Sequence, residues 1–152
     1  TSGPTMLVLT RQNLPAQRAD TAENKSARGA YILSPASAAP KAVIVATGSE
    51  VYLAMDAQKV LEAKGIPTQV VSAPSFELFA QQDAAYKASV IPATAIKVGI
   101  EAGIRQGWDA LIGSDATFIG MTGFGESAPA EILYKHFGIT ADAIVDAVMK
   151  RV

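Results

Sequence analysis

From Ala42 to the carboxyl end, short β-type runs alternate with helical patterns, and this alternation limits the possible folds more than any other feature of the sequence. Ala42–Ala46 (AVIVA) is an unbroken apolar run of the kind buried on both faces of a parallel sheet. Helix signals follow it directly. Thr47 and Glu50 have the T-x-x-E spacing of a capping box, with Ser49 as a rival N-cap. Val51, Ala54, Ala57/Gln58 and Leu61 recur at helical spacing, and Val60 widens the apolar stripe. Gly65 supplies a helix stop that Pro67 reinforces. Thr68–Ser72 then predicts a strand, Ser75 to Val90 one or two short helices, and Ala95–Ile100 another strand. A helical stretch is expected from about Ala102 to Leu111, and a last strand over Ala116–Gly120. Two helices close the chain, Ala128–Phe137 and Ala141–Lys150, parted by Gly138 and with Thr140 as the cap of the second.

Strands alternating with helices imply parallel βαβ units and a sheet covered on both faces. Upstream, Arg28–Leu33 can form one more strand, but only eight residues, Ser34 to Lys41, separate it from Ala42. A parallel crossover needs about a dozen or more, so this strand should run antiparallel to the rest. The expected fold is a three-layer α/β/α, Rossmann-like domain on a five-stranded mixed sheet, with four parallel strands and one antiparallel. Thr5–Thr10 (TMLVLT) is a further β-type run, followed by the polar, irregular stretch Arg11–Ser26, which Pro15 keeps from becoming helical. Residues 1–27 therefore read as the severed end of a neighbouring domain plus a linker, and residues 28–152 as the folded unit.

Composition narrows the function classes. With 152 residues, 49 % of them hydrophobic and 18 % charged, one domain with a sizeable core is possible. The 13 basic and 14 acidic residues give a net charge of −1, with no long run of one sign, so neither a nucleic-acid groove nor an anionic-membrane surface is indicated. Cysteine is absent, which removes disulfides, thiolate nucleophiles and Cys-based metal sites. No apolar run approaches the roughly 20 residues that span a bilayer, and a soluble, cytoplasmic protein is expected. The first residue is Thr1, which fits a piece of something longer.

Several residues are candidates for chemistry. Gly123-Phe124-Gly125-Glu126-Ser127-Ala128 has the G-x-G-x-x-A spacing of a dinucleotide-binding turn. No strand with a terminal acid follows it, however, and Pro129 points to an ordinary turn into a helix. His136 is the only histidine, in the last turn of an amphipathic helix, and reads as structural. The carboxyl ends of parallel strands are where α/β sheets bind ligands. Thr47, Gly48, Ser49, Ser72 and Glu101 should line that crevice, where a small anionic effector could sit on backbone N–H groups. Capping by Thr47 and Ser49, and a helix-starting role for Glu101, are the structural alternatives. No catalytic residue or metal ligand set is indicated. Arg11 follows a β-type run directly, and a planar guanidinium suits bidentate phosphate recognition, although a solvated surface arginine is the ordinary alternative.

A series of blocks, in order, resembles the transketolase family. Thr10-Arg11-Gln12-Asn13-Leu14 is similar to the S/T-R-Q-N-L segment that ends the family's pyrimidine-binding domain, and Arg28-Gly29-Ala30-Tyr31 to its R-G-x-Y strand. Ala46-Thr47-Gly48-Ser49-Glu50-Val51 resembles A-T-G-S-E-V, and Gln82-Asp83-Ala84-Ala85-Tyr86 resembles Q-D-x-x-Y. Glu101-Ala102-Gly103 with Trp108, and the final F-G-E-S-A-P of Phe124 to Pro129, complete the set. The resemblance runs from about Thr5 to Val152. It implies the last of three domains, abutting the upstream domains of the same polypeptide and the homodimer partner. Thiamine diphosphate and a divalent metal (Mg or Ca) would be held upstream and not by this chain. It further implies sugar phosphates as substrates, contact of Arg11 with the substrate phosphate, and catalytic inertness of the chain alone. The R-Q-N-L and A-T-G-S-E-V blocks favour transketolase over its sister thiamine enzymes, the 2-oxo acid dehydrogenase β subunits and deoxyxylulose-phosphate synthase.

Overall fold

The structure is a computed structural model that describes residues 3, 4, 6, 9–20 and 22–152. The strand expected over Thr5–Thr10 falls on a segment in which Thr5, Leu7 and Val8 lie outside the described residues. Among the described residues, five strands form one sheet: β1 (Tyr31–Ser34), β2 (Ala42–Ala46), β3 (Thr68–Ser72), β4 (Ile96–Ile100) and β5 (Thr117–Ile119). Six helices among them flank it: α1 (Val51–Ala63), α2 (Phe76–Ala80), α3 (Ala84–Val90), α4 (Asp109–Ile112), α5 (Ala130–Phe137) and α6 (Ala141–Met149).

The spatial order is β1-β3-β2-β4-β5. The pairs β2/β3, β2/β4 and β4/β5 are parallel, and β1 alone is antiparallel, as the short Ser34-to-Lys41 connection requires. Its partner is β3, with Tyr31 opposite Ser72, so the connection steps over β3 to reach β2. This is the four-plus-one mixed α/β sheet expected from the sequence.

Side chains alternate across the central strand and feed two cores. Ala42, Ile44 and Ala46 face α1, α5 and α6, packing with Leu61, Tyr134, Ile144 and Val148. Val43 and Val45 face the opposite way, toward Phe79, Val90, Trp108 and Ile112 from α2, α3 and α4. All five residues of β2 are fully buried, each large one contributing about 1.5–3 kcal/mol, which explains why this strand reads as a continuous apolar run.

Local outcomes differ from the sequence expectations in four places. β1 starts later than Arg28, because Lys25–Arg28 is a 3-10 turn and Gly29, at φ 83°, swings the chain into the strand. The Thr47/Glu50 capping box does not form. Gly48–Glu50 is a 3-10 turn, neither Thr47 nor Glu50 makes a side-chain cap, and the Glu50 carboxylate is drawn into the interior by distant partners. Val60 is 42 % exposed and lies outside the apolar stripe. The helix expected from Ala102 to Leu111 shrinks to Asp109–Ile112, because Gly107 takes a positive φ and breaks the earlier turns. The Thr140 cap forms as expected, its hydroxyl accepting from the Ala143 N–H at 3.2 Å.

Candidate functional site

Strand order reverses between β2 and β4: from β2 the chain winds outward through α1 to β3, and from β4 it winds the other way through α4 to β5. That switch point is where an open α/β sheet leaves a crevice. In register, Ala46 of β2 lies beside Ser72 of β3 and Ile100 of β4. Thr47, Gly48 and Ser49 therefore leave the sheet between Ser72 and Glu101, so the five crevice candidates share one end of three adjacent strands.

Two of them are turned toward internal partners. Glu101 Oε2 accepts from the indole Nε1 of Trp108 at 2.8 Å. Trp108 is fully buried, stacked edge-on against Phe76 at 5.0 Å and tilted against Phe118 at 5.1 Å. Gly99 makes room for it, since an added Cβ would lie 2.8 Å from the indole. Ser49 Oγ donates to Glu50 Oε1 at 2.7 Å. Gly48, at φ 57°, faces open space.

Glu50 is the centre of a network that the local sequence conceals. It is only 4 % exposed. Oε1 accepts a hydrogen bond from the Tyr134 hydroxyl at 2.5 Å, and Oε2 accepts from the Ala102 N–H at 3.1 Å. One carboxylate thus joins the start of α1, the end of β4 and helix α5, which spreads its charge over several donors as a buried carboxylate requires. Burial pushes the Tyr134 phenol above its ordinary value, and its bond to Glu50 adds to the rise. Tyr134 also accepts from Gln12 Nε2 at 3.2 Å, bringing the amino-terminal segment onto the domain. A cavity of about 240 Å³ opens beside this network, with Gln12, Ala102, Met121, Tyr134 and Phe137 among its walls.

Arg11 lies apart from the crevice candidates. It is exposed and lines an open cleft of about 530 Å³ with Thr10, Gln12, the α5 N-cap Pro129 and the α5 residues Ala130 and Leu133. Phe124, in the Gly123–Ala128 segment, is 99 % exposed and that segment forms no strand or helix, which accords with an ordinary connection. His136 stacks edge-on against Phe137 in the last turn of α5.

Sequence reasoning missed Glu50, Tyr134 and Arg105. Glu50 carried a misleading local signal, and its partners are 52 and 84 positions away. Arg105 Nη1 and Nη2 donate to the carbonyls of Ala116, Gly113 and Ser114, clasping the α4–β5 loop, and Nε donates to Asp109 Oδ1 at 2.7 Å. Among the described residues, no group of three or more His, Cys, Asp or Glu stands close enough to hold a metal ion. No helix among them is long and apolar enough to cross a membrane.

Residues 29–140 match the family model described as the transketolase-like TK C-terminal domain. A transketolase from Cereibacter sphaeroides is 53 % identical over 100 % of this chain, which covers 23 % of that protein. A transketolase from Pichia stipitis, solved in complex with sedoheptulose-7-phosphate, superposes with a TM-score of 0.74 at 36 % identity, over 83 % of this chain and 18 % of that one. A split-gene transketolase, described as an inactive β4 tetramer, matches with a TM-score of 0.70 at 27 % identity, over 92 % of this chain and 47 % of that one. The chain thus spans under a quarter of the length of the Cereibacter relative it matches from end to end. With the sheet order, the motif series and these likenesses in agreement, the chain belongs to the transketolase C-terminal domain family.

Proposed function

We propose that the chain serves as the carboxy-terminal domain, residues 28–152, of a homodimeric transketolase, with residues 1–27 the tail of its pyrimidine-binding domain and the linker. The intact enzyme transfers a two-carbon ketol unit from a ketose phosphate to an aldose phosphate in the cytoplasmic pentose phosphate pathway. The observation that carries this reading is the 53 % identity to a transketolase over the whole chain. Thiamine diphosphate, when bound in the intact enzyme with a divalent metal, supplies the carbanion-stabilising chemistry, while protein groups bind and orient the sugar. The family resemblance assigns the binding of that group to the upstream domains. This chain contributes architecture and one substrate contact: the exposed Arg11 guanidinium, on the phosphate of the sugar. The solved sugar-phosphate complex of the Pichia relative supports that substrate class.

On this reading the chain alone is inert. An assay of the purified chain with thiamine diphosphate, magnesium and sugar phosphates is expected to give no turnover, and the full-length polypeptide that contains it is expected to turn over. Catalysis by the isolated chain would overturn the assignment of its role.

The convergence of Thr47, Gly48, Ser49, Ser72 and Glu101 at the switch point supports a second reading, a small-anion effector site. Titration of the chain with nucleotides and sugar phosphates, followed by chemical-shift changes at Gly48 and Ser72, tests it. A screen without a saturable shift disposes of it.

A further inference from the structure

Arg11 is exposed, but the residues on either side of it are clasped together. Thr10 Oγ1 accepts from both the backbone N–H of Gln12 at 3.2 Å and its side-chain Nε2 at 3.0 Å. This closes a small ring with Arg11 at its apex. The second proton of Nε2 points to the Tyr134 phenol oxygen at 3.2 Å. An amide NH2 has two donors, and here each has its own acceptor. The phenol can serve as acceptor because its own proton is committed to Glu50 at 2.5 Å. Glu50 in turn is held by Ser49 Oγ and by the Ala102 backbone, so the chain of bonds ends on the buried sheet. Tyr134 belongs to α5, whose first residues, with Leu133, floor the cleft beside Arg11.

We propose that Tyr134 is a positioning residue for sugar-phosphate binding. The Glu50–Tyr134–Gln12 relay fixes the turn that presents the Arg11 guanidinium over the α5 cleft. This rests on the phosphate role proposed above for Arg11. A bidentate contact needs the guanidinium plane set within narrow limits, and an arginine on an untethered turn loses affinity to the cost of ordering it. Tyr134 does not touch the substrate, so its effect reaches the phosphate only through Gln12.

The test uses the full-length enzyme and two ketose donors, one phosphorylated and one not. Arg11→Ala is expected to raise KM for the phosphorylated donor by about 10- to 100-fold, the worth of charged hydrogen bonds, and to spare the other donor. Tyr134→Phe keeps the ring in the core and deletes the hydroxyl. It is expected to raise the same KM by about threefold to tenfold, with kcat nearly unchanged and the unphosphorylated donor unaffected. Gln12→Leu, at a half-buried site outside the core, should reproduce that pattern. Neither change should add to Arg11→Ala. If Arg11→Ala fails to separate the two donors, the phosphate reading falls and the relay with it. If Arg11→Ala separates them while Tyr134→Phe and Gln12→Leu affect both donors alike or neither, the relay is overturned and Arg11 stands.

Discussion

A methyl group at Gly29 would lie 2.2 Å from the Phe79 amide nitrogen and 2.4 Å from the Ser75 carbonyl oxygen, and the residue sits at φ 83°. Both neighbours are backbone, and Ser75 N–H is already bonded to the Gly29 carbonyl at 2.9 Å, so α2 cannot move aside without losing its anchor. Gly29→Ala is expected to cost about 2–5 kcal/mol, combining left-handed strain with overpacking. Gly65 provides the comparison: φ 74° with open space around it, so Gly65→Ala should cost only about 1 kcal/mol. Urea unfolding midpoints of the two variants check the difference, and equal losses would contradict it. At this scale the sequence is unevenly legible. Gly65 announced a helix end, and Thr140 announced a cap, because each acts on its immediate neighbours. Glu50 did not announce itself, since a T-x-x-E spacing describes a local capping option and cannot weigh it against Tyr134, 84 positions away. The proposed phosphate contact of Arg11 was visible only through resemblance, because a single exposed arginine carries no spacing signal.

Among elements, the end of α1 is stapled to two neighbours by one carboxylate. Glu62 accepts from the Ser37 hydroxyl at 2.5 Å and the Ser37 N–H at 3.1 Å, and from the Thr68 N–H at 2.8 Å. These bonds join the β1–β2 connection and the first residue of β3 to the helix. The Ser37 hydroxyl, then the Thr68 amide, hold the Glu62 carboxyl below its ordinary value. A carboxyl with a lowered native pKa adds stability that is complete above its unfolded value and lost as pH falls through the native one. Glu62→Gln should therefore lower stability near neutrality and flatten the acid limb. The effect will be modest because the carboxylate is largely solvent-screened. Denaturant midpoints measured over about pH 3–7 check it, and parallel curves for the two proteins would refute the staple. The helices α1, α5 and α6 were legible because their apolar periodicity is long or their stops are strong. The stretch after β4 carries a long-helix pattern that the structure does not keep, because its form is set by Gly107 and by Arg105 reaching carbonyls up to 11 residues on.

For the molecule as a whole, every buried hydrophobic side chain among the described residues lies between Ala30 and Val148. The preceding segment rests on the outside, with Arg18 over the Tyr31 ring at 5.4 Å and Gln12 on Tyr134. Residues 28–152 alone are therefore expected to keep one cooperative thermal transition, with a loss of about 1–2 kcal/mol for the cation–π and hydrogen-bond contacts removed. Circular dichroism melting checks this, and a broad, non-cooperative melt would place the boundary elsewhere. The four-plus-one sheet was legible at this scale because one short connection forbade a parallel crossover, whereas the pairing of β1 with β3 depended on chain geometry that no run of letters encodes. The sole tryptophan, Trp108, has its indole proton on Glu101, at the rim of the switch-point crevice. The protein thus carries its own lamp at that spot: an occupant that draws Glu101 away would change the emission colour without any label.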